Sequence, residues 1–196
     1  NGQFLIVGSK FHGIQDTGAV YLYYRTNPVS DDSWKFLTKL VVTNGVAGDL
    51  FGSSVALSND HAVIAAPGKS TNSGSAYVFK RSGSTAATSI WSVMSSVLTS
   101  STSAPANYFG ASVSIFRHVI AVGVPNGDLT SPARENAGWV DVFVLDTNTE
   151  AWVRSSSPLT ISDAKAYDYT GGDVSVGPGF ILVASSLDDH TKLTDV

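Results

Sequence analysis

The chain has 196 residues and a mass of 20.5 kDa, with 12 Lys+Arg against 16 Asp+Glu and a net charge of −4. A hydrophobic fraction of 43% excludes a disordered chain, and sparse basic residues argue against nucleic acid as a partner. There is no cysteine, which excludes disulfides, zinc–thiolate sites and thiol catalysis, and no apolar run is long enough to insert in a membrane.

In chain order, the first apolar segments are Phe4 to Ser9, Gly18 to Tyr24, and Trp34 to Leu40. A second set follows: Phe51 to Ser58, His61 to Pro67, Gly74 to Phe79, and Trp91 to Leu98. A third set is Phe109 to Phe116, His118 to Pro125, Gly138 to Phe143, and Trp152 to Leu159. A fourth starts with Thr170 to Gly177 and Phe180 to Ser186. Each segment is rich in Val, Ile, Tyr, Phe or Trp and is bounded by Gly, Pro, Asn, Asp or Ser, which is strand chemistry. No stretch keeps the apolar spacing of a helix.

The sets are copies of one unit. Phe51-Gly52, Pro67, Gly74 and Trp91 recur as Phe109-Gly110, Pro125, Gly138 and Trp152. The step from the last Leu of a set to the start of the next is 11 residues in each case: Leu40 to Phe51, Leu98 to Phe109, Leu159 to Thr170. The spacing predicts four antiparallel strands per unit and no helix, the arithmetic of a propeller blade. Approximate repeats run over 1–45, 46–104, 105–165 and 166–196, all within one β-propeller segment. They supply 13 strands, about three and a quarter blades. The small residues of the first two strands of a unit, Gly52, Ser54 and Ala56, then Ala65 and Ala66, suit the crowded axis. The aromatic third and fourth strands suit the wider space between blades.

Candidate chemistry is thin. His61 and His118 occupy equivalent repeat positions, which favours packing over ligation, and His12 and His190 have no metal-ligand spacing. The segments at Ser54 and Ser112 have a faint G-x-S look, but they read as strand interiors rather than as the sharp turn a nucleophile needs. Asp31 with Asp32, Asp163 with Asp168, and Asp188 with Asp189 read as solvated loop residues. From Ser82 to Ser103, 13 of 22 residues are Ser or Thr, with the outer strand embedded among them. No N-glycosylation sequon occurs.

At these residues the chain resembles the FG-GAP repeat family, the blades of the integrin alpha-subunit β-propeller. The resemblance rests on Phe51-Gly52, Ala66-Pro67-Gly68, Gly74 and Tyr77-Val78-Phe79. In the next copy it rests on Phe109-Gly110, Val124-Pro125, Gly138 and Val142-Phe143. The third copy has Thr170-Gly171 and Ala184-Ser185 instead, and the N-terminal copy lacks the Phe-Gly strand. The family's calcium loops lie between first and second strands. The corresponding loops here, at Ser58 to Asp60, Arg117, and Gly177 to Gly179, cannot supply the oxygen ligands, so no metal and no cofactor is expected.

The resemblance implies a non-catalytic adhesion, recognition or scaffold module, outside the cell or at its surface. The incomplete blade count makes a self-assembling subunit of a filament or surface layer the alternative, with a hydrolase-type propeller third. Expected partners are proteins, or further copies through exposed strand edges, or more blades of the same polypeptide; nucleic acid is not among them. Binding is expected in the long loops Lys10–Thr17, Lys69–Ser73 and Asn126–Ala137.

Overall fold

A computed structural model of the chain describes residues 3–13, 15–27, 34–102, 104–130 and 133–187. The fold is all-β, built of stacked antiparallel sheets, two of which have the four strands of a blade among the described residues. The first sheet holds β1 (Phe4–Ser9), β2 (Ala19–Tyr24) and β3 (Lys35–Leu40) in that order. The second holds β4 (Val55–Ser58), β5 (His61–Ala66), β6 (Ser75–Ser82) and β7 (Ile90–Leu98). In the third blade β8 (Val113–Phe116) and β9 (Val119–Val124) pair as β4 and β5 do. A two-residue hairpin, β10 (Leu129–Thr130) and β11 (Ala133–Arg134), intervenes before β12 (Trp139–Asp146) and β13 (Ala151–Arg154) complete the sheet. The last sheet is β14 (Thr170–Gly177) with β15 (Phe180–Ser185).

Three expectations need correction. Phe51, Gly52, Ser53 and Ser54 precede β4 as a bridge and turn, and Phe109 to Ser112 precede β8 in the same way; neither serine lies inside a strand. The reason is Gly52 and Gly110, which sit at φ +92° and +93°, outside strand geometry. No helix follows either turn, so the strand-to-helix elbow of a serine nucleophile is not formed. The second correction is the short helical turn Lys69–Asn72, where none was expected; Ser70 and Thr71 within it are left-handed. The third is the β10–β11 hairpin inside the loop 126–137. Asp31, Asp32, Asp188, Asp189 and His190 lie outside the described residues, as does most of the tail from Leu187.

Strand alternation gives every blade two apolar faces, and the core lies between blades. Between the first two sheets, Val20, Leu22 and Leu40 meet Phe51, Ala62, Ile64, Tyr77, Phe79 and Trp91. Between the second and third, Val63, Ala65, Ala76, Val78 and Leu98 meet Phe109, Ile120, Val122, Trp139, Phe143 and Trp152. Between the third and fourth, Ala121, Val140 and Val142 meet Val174, Val176, Ile181 and Val183. The aromatics of β6, β7, β12 and β13 therefore all point at the preceding blade. Trp91 packs edge-on to Phe4 of that blade at 5.6 Å, and Trp152 edge-on to His61 at 5.6 Å. His61 thus has the packing role its repeat position suggests. Burial, with Lys80 beside it, holds its imidazole below the ordinary value of 6.5.

The first strands lie side by side at the narrow edge, joined by serine. Ser54 Oγ accepts from Val113 N–H (3.0 Å), Ser58 Oγ from Arg117 N–H (2.8 Å), and Ser114 Oγ from Val176 N–H (3.0 Å). Each hydroxyl at one position caps the next position in the following blade. A larger side chain would hold the strands apart.

Candidate functional site

The repeat landmarks converge on a clasp between consecutive blades. Ahead of each first strand stands a three-residue lead, Asp49-Leu50-Phe51, Asn107-Tyr108-Phe109 or Asp168-Tyr169-Thr170. Each lead runs alongside the loop between the second and third strands of the blade before. Gly48, Leu50 and Phe51 N–H donate to Gln15, Asp16 and Thr17 carbonyls at 2.8, 3.2 and 3.1 Å. Ala106, Tyr108 and Phe109 do the same to Thr71, Asn72 and Ser73 at 3.2, 2.8 and 3.1 Å. Tyr167, Tyr169 and Thr170 repeat it with Glu135, Asn136 and Ala137 at 2.8, 3.0 and 2.9 Å. Parallel bridges extend each clasp, Gly18 to Phe51, Gly74 to Phe109 and Gly138 to Thr170.

This geometry explains the glycines. A Cβ on Gly74 would stand 2.0 Å from the Phe109 carbonyl oxygen, and one on Gly138 2.3 Å from that of Thr170. Both also have positive φ, at +85° and +74°. Phe51 and Phe109 then drop from the clasp into the core. Phe51 packs on Tyr77 (5.6 Å) and Phe79 (6.3 Å), and Phe109 on Phe143 (6.1 Å). Gly52 and Gly110 return the chain to its own blade, their N–H groups donating to Ala65 O (2.8 Å) and Gly123 O (3.0 Å). Pro67 and Pro125 are buried at the exit of the second strand, where the loop leaves. Gly74 meets Phe109, and Gly138 meets Thr170; Trp91 and Trp152 stand apart, in the interblade cores.

Sequence reasoning missed the acidic or amide residue two places before each Phe or Thr. Asp49, Asn107 and Asp168 are all buried. Asp49 Oδ2 accepts from Val46 N–H (3.0 Å), Asp168 Oδ2 from Lys165 N–H (2.6 Å), and Asn107 Nδ2 donates to Thr102 O (3.0 Å). Asp168 is therefore a clasp residue rather than a solvated one; Asp163 is exposed as expected. The recurring Asp/Asn at this offset was visible in the letters. Also missed were Leu50, Tyr108 and Tyr169, left-handed at φ 57°, 55° and 54°. Bulky residues avoid that region, and only the clasp hydrogen bonds explain its use.

The clasps fix where the loops emerge. The long loops after β1, β5 and β9 present themselves at the same end of the arc, because each is held by the same three carbonyls. Their outward residues differ. Phe11 is 65% exposed in the first. His12 bridges Tyr21 and Lys39 there: Tyr21 Oη lies 3.1 Å from Nδ1, and the Lys39 ammonium donates to Nε2 at 2.6 Å. In the second, Lys69 Nζ reaches Asp49 Oδ2 (3.0 Å). Burial opposes the Lys69 charge, yet Asp49 and Tyr77 outweigh it and raise its pKa. In the third, the Tyr167 hydroxyl donates to Glu135 across the clasp. Among the described residues, no three His, Cys, Asp or Glu side chains group to hold a metal ion, and no helix is long and apolar enough to cross a membrane.

The family model described as FG-GAP repeat matches residues 34–79. Over those residues the chain is similar to one FG-GAP repeat. The match begins in the outer strand of the first blade and ends in β6. It therefore takes in the lead of one clasp, Asp49 to Gly52, and the Gly74 that opens the next; the loop residues Gln15 to Gly18 that the lead pairs with lie outside it. No curated protein matches the chain. The FG-GAP repeat match and the all-β fold of stacked sheets together point to a β-propeller-type architecture.

Proposed function

We propose that the chain is a non-catalytic recognition or adhesion module, working outside the cell or at its surface, like the integrin alpha propeller it resembles. Its partner is a protein, and the contact surface is the loop end made by Lys10–Thr17, Lys69–Ser73 and Asn126–Ala137. The observation that carries this reading is the threefold clasp. It pins the inner side of each loop to the next blade while the outward side chains vary. Rigid loops of differing sequence on one face suit binding, because little ordering entropy is lost on contact.

The test is adhesion of intact source cells to surfaces coated with the chain. A variant with Phe11→Ser, Lys69→Ser and Arg134→Ser should retain few cells. A rim variant, Val93→Ser, should retain as many as the wild type. Equal retention by the loop variant and the wild type would sink the proposal.

A second reading, a self-assembling subunit, is favoured by the two end faces. Leu5, Val7 and Phe36 on the first blade, and Phe180 and Leu182 on the last, are 39%, 43%, 57%, 51% and 61% exposed. The inner-blade positions equivalent to Leu5, Val7 and Leu182, among them Ala62, Ile64 and Val63, are interblade core.

A further inference from the structure

The second strands of the later blades each pair with a first strand: β4 with β5, β8 with β9, β14 with β15. β1 is a second strand by every repeat landmark, yet among the described residues it pairs with β2 alone. Among the described residues, no strand pairs with its other edge. A bare strand edge is a template for a further strand.

Three independent features say which strand fits. The first is the edge itself. Gly8 holds the position of Ala65 and Gly123. Ala65 N–H donates to Ser54 O (2.9 Å) and its carbonyl accepts from Gly52 N–H (2.8 Å); Gly123 does the same with Ser112 (2.9 Å) and Gly110 (3.0 Å). Gly8 therefore turns one N–H and one C=O towards the open edge.

The second feature is register. Ile64, Val122 and Val183 stand where Val7 stands, and each faces a valine: Val55, Val113 or Val174. Ala62, Ile120 and Ile181 stand where Leu5 stands, and face Leu57, Ile115 and Val176.

The third feature comes from the neighbouring blade. The hydroxyls of Ser54, Ser58 and Ser114 cap N–H groups of the following first strand. In β4 and its turn the equivalent groups are those of Val55, Leu57 and Asn59. Among the described residues, no hydroxyl from a preceding first strand stands before them.

We propose that the open edge of β1 is a strand-addition site for an extended peptide of the pattern Phe-Gly-x-Ser-Val-x-apolar, bound antiparallel. Its Ser carbonyl accepts from Gly8 N–H, its Gly N–H donates to Gly8 O, and its Val sits beside Val7. Its Ser hydroxyl faces the Val55 amide, and a Ser two places on would face that of Leu57. The site lies on a strand edge and not on the loop end, so it stands whether or not the loops bind a partner.

The probe is a synthetic peptide of residues 107–117, Asn107 to Arg117, added to the 196-residue chain. Saturable one-to-one binding is expected, with slowed hydrogen exchange at the Gly8 amide. Val7→Asp, at a half-exposed position, should weaken binding at least about tenfold while the chain stays folded by circular dichroism. Replacing the peptide's Gly110 by Pro removes the N–H meant for Gly8 O and should do the same against the wild-type chain, whatever the fate of the Val7 variant. No saturable binding, or affinity unchanged by the peptide substitution, overturns the proposal.

Discussion

The conformations of single residues in the clasp follow from their neighbours. Gly48 and Gly74 both have positive φ, at +77° and +85°, but a Cβ on Gly48 would meet nothing within 4 Å, whereas one on Gly74 would strike Phe109. Gly48→Ala should therefore cost only the left-handed strain, about 1–2 kcal/mol, the more tolerably because Ala106 takes that position in the next blade. Gly74→Ala should cost clearly more, since backbone must move, and urea melts of the two variants measure the difference. Similar reasoning applies to Asp168. Asn107 holds the equivalent site, so Asp168→Asn should be close to neutral. Asp168→Ala removes an acceptor from the N–H of exposed Lys165, where water can take its place, and should cost less than about 1 kcal/mol.

Asp141 offers a pH test. It is buried on β12, where its Oδ2 accepts from Ser100 Oγ (2.8 Å) and Trp139 Nε1 (3.2 Å). Burial outweighs those bonds and raises its pKa above the ordinary 3.8. The folded state then holds the proton more tightly than the unfolded one, so this contribution is full below pH 3.8 and declines as pH rises through the raised pKa. Melting temperature followed upward from about pH 3.5 should fall for the wild type relative to Asp141→Asn, which has no such titration. Parallel curves would contradict it.

At the scale of elements, strand identity was legible and clasp geometry was not. Periodic aromatics and bounding glycines mark β2, β6 and β12, because half-buried strands need that alternation. The places where Phe51 and Phe109 leave strand geometry were hidden. Apolar letters beside a strand read as strand, and only contact with the neighbouring blade forces the turn. The left-handed Leu50, Tyr108 and Tyr169 were hidden for the same reason, since intrinsic preference opposes them. The short β10–β11 hairpin escaped notice because two-residue ladders leave no periodicity. Of the candidate site, the loops were legible from their length, but what fixes them, the buried Asp49, Asn107 and Asp168, was read past.

The serine ties between first strands can be separated by burial. Ser54→Ala strands the N–H of buried Val113, away from water, and should cost about 1–3 kcal/mol. Ser58→Ala frees the N–H of exposed Arg117, which water can satisfy, and should cost less than about 1 kcal/mol. Chemical denaturation of the two single variants ranks them; equal losses would mean that the hydroxyls do not act as interblade caps.

For the whole molecule, stability resides between blades rather than within them, since every buried cluster is shared by two sheets. At either end, Leu5 and Val7 on the first blade and Leu182 on the last present the same kind of surface with no neighbour among the described residues. Sedimentation at rising concentration should therefore show association, and Leu182→Ser should weaken it; a monomer at all concentrations would leave the assembly reading without support. The most direct test of the account is native-state hydrogen exchange at the clasp donors Gly48, Leu50, Phe51, Ala106, Tyr108, Phe109, Tyr167, Tyr169 and Thr170. If the repeats are blades held by a shared backbone clasp, these amides exchange as slowly as those of β5 and β9, although they lie outside the regular strands. Exchange at the rate of open loops would contradict it.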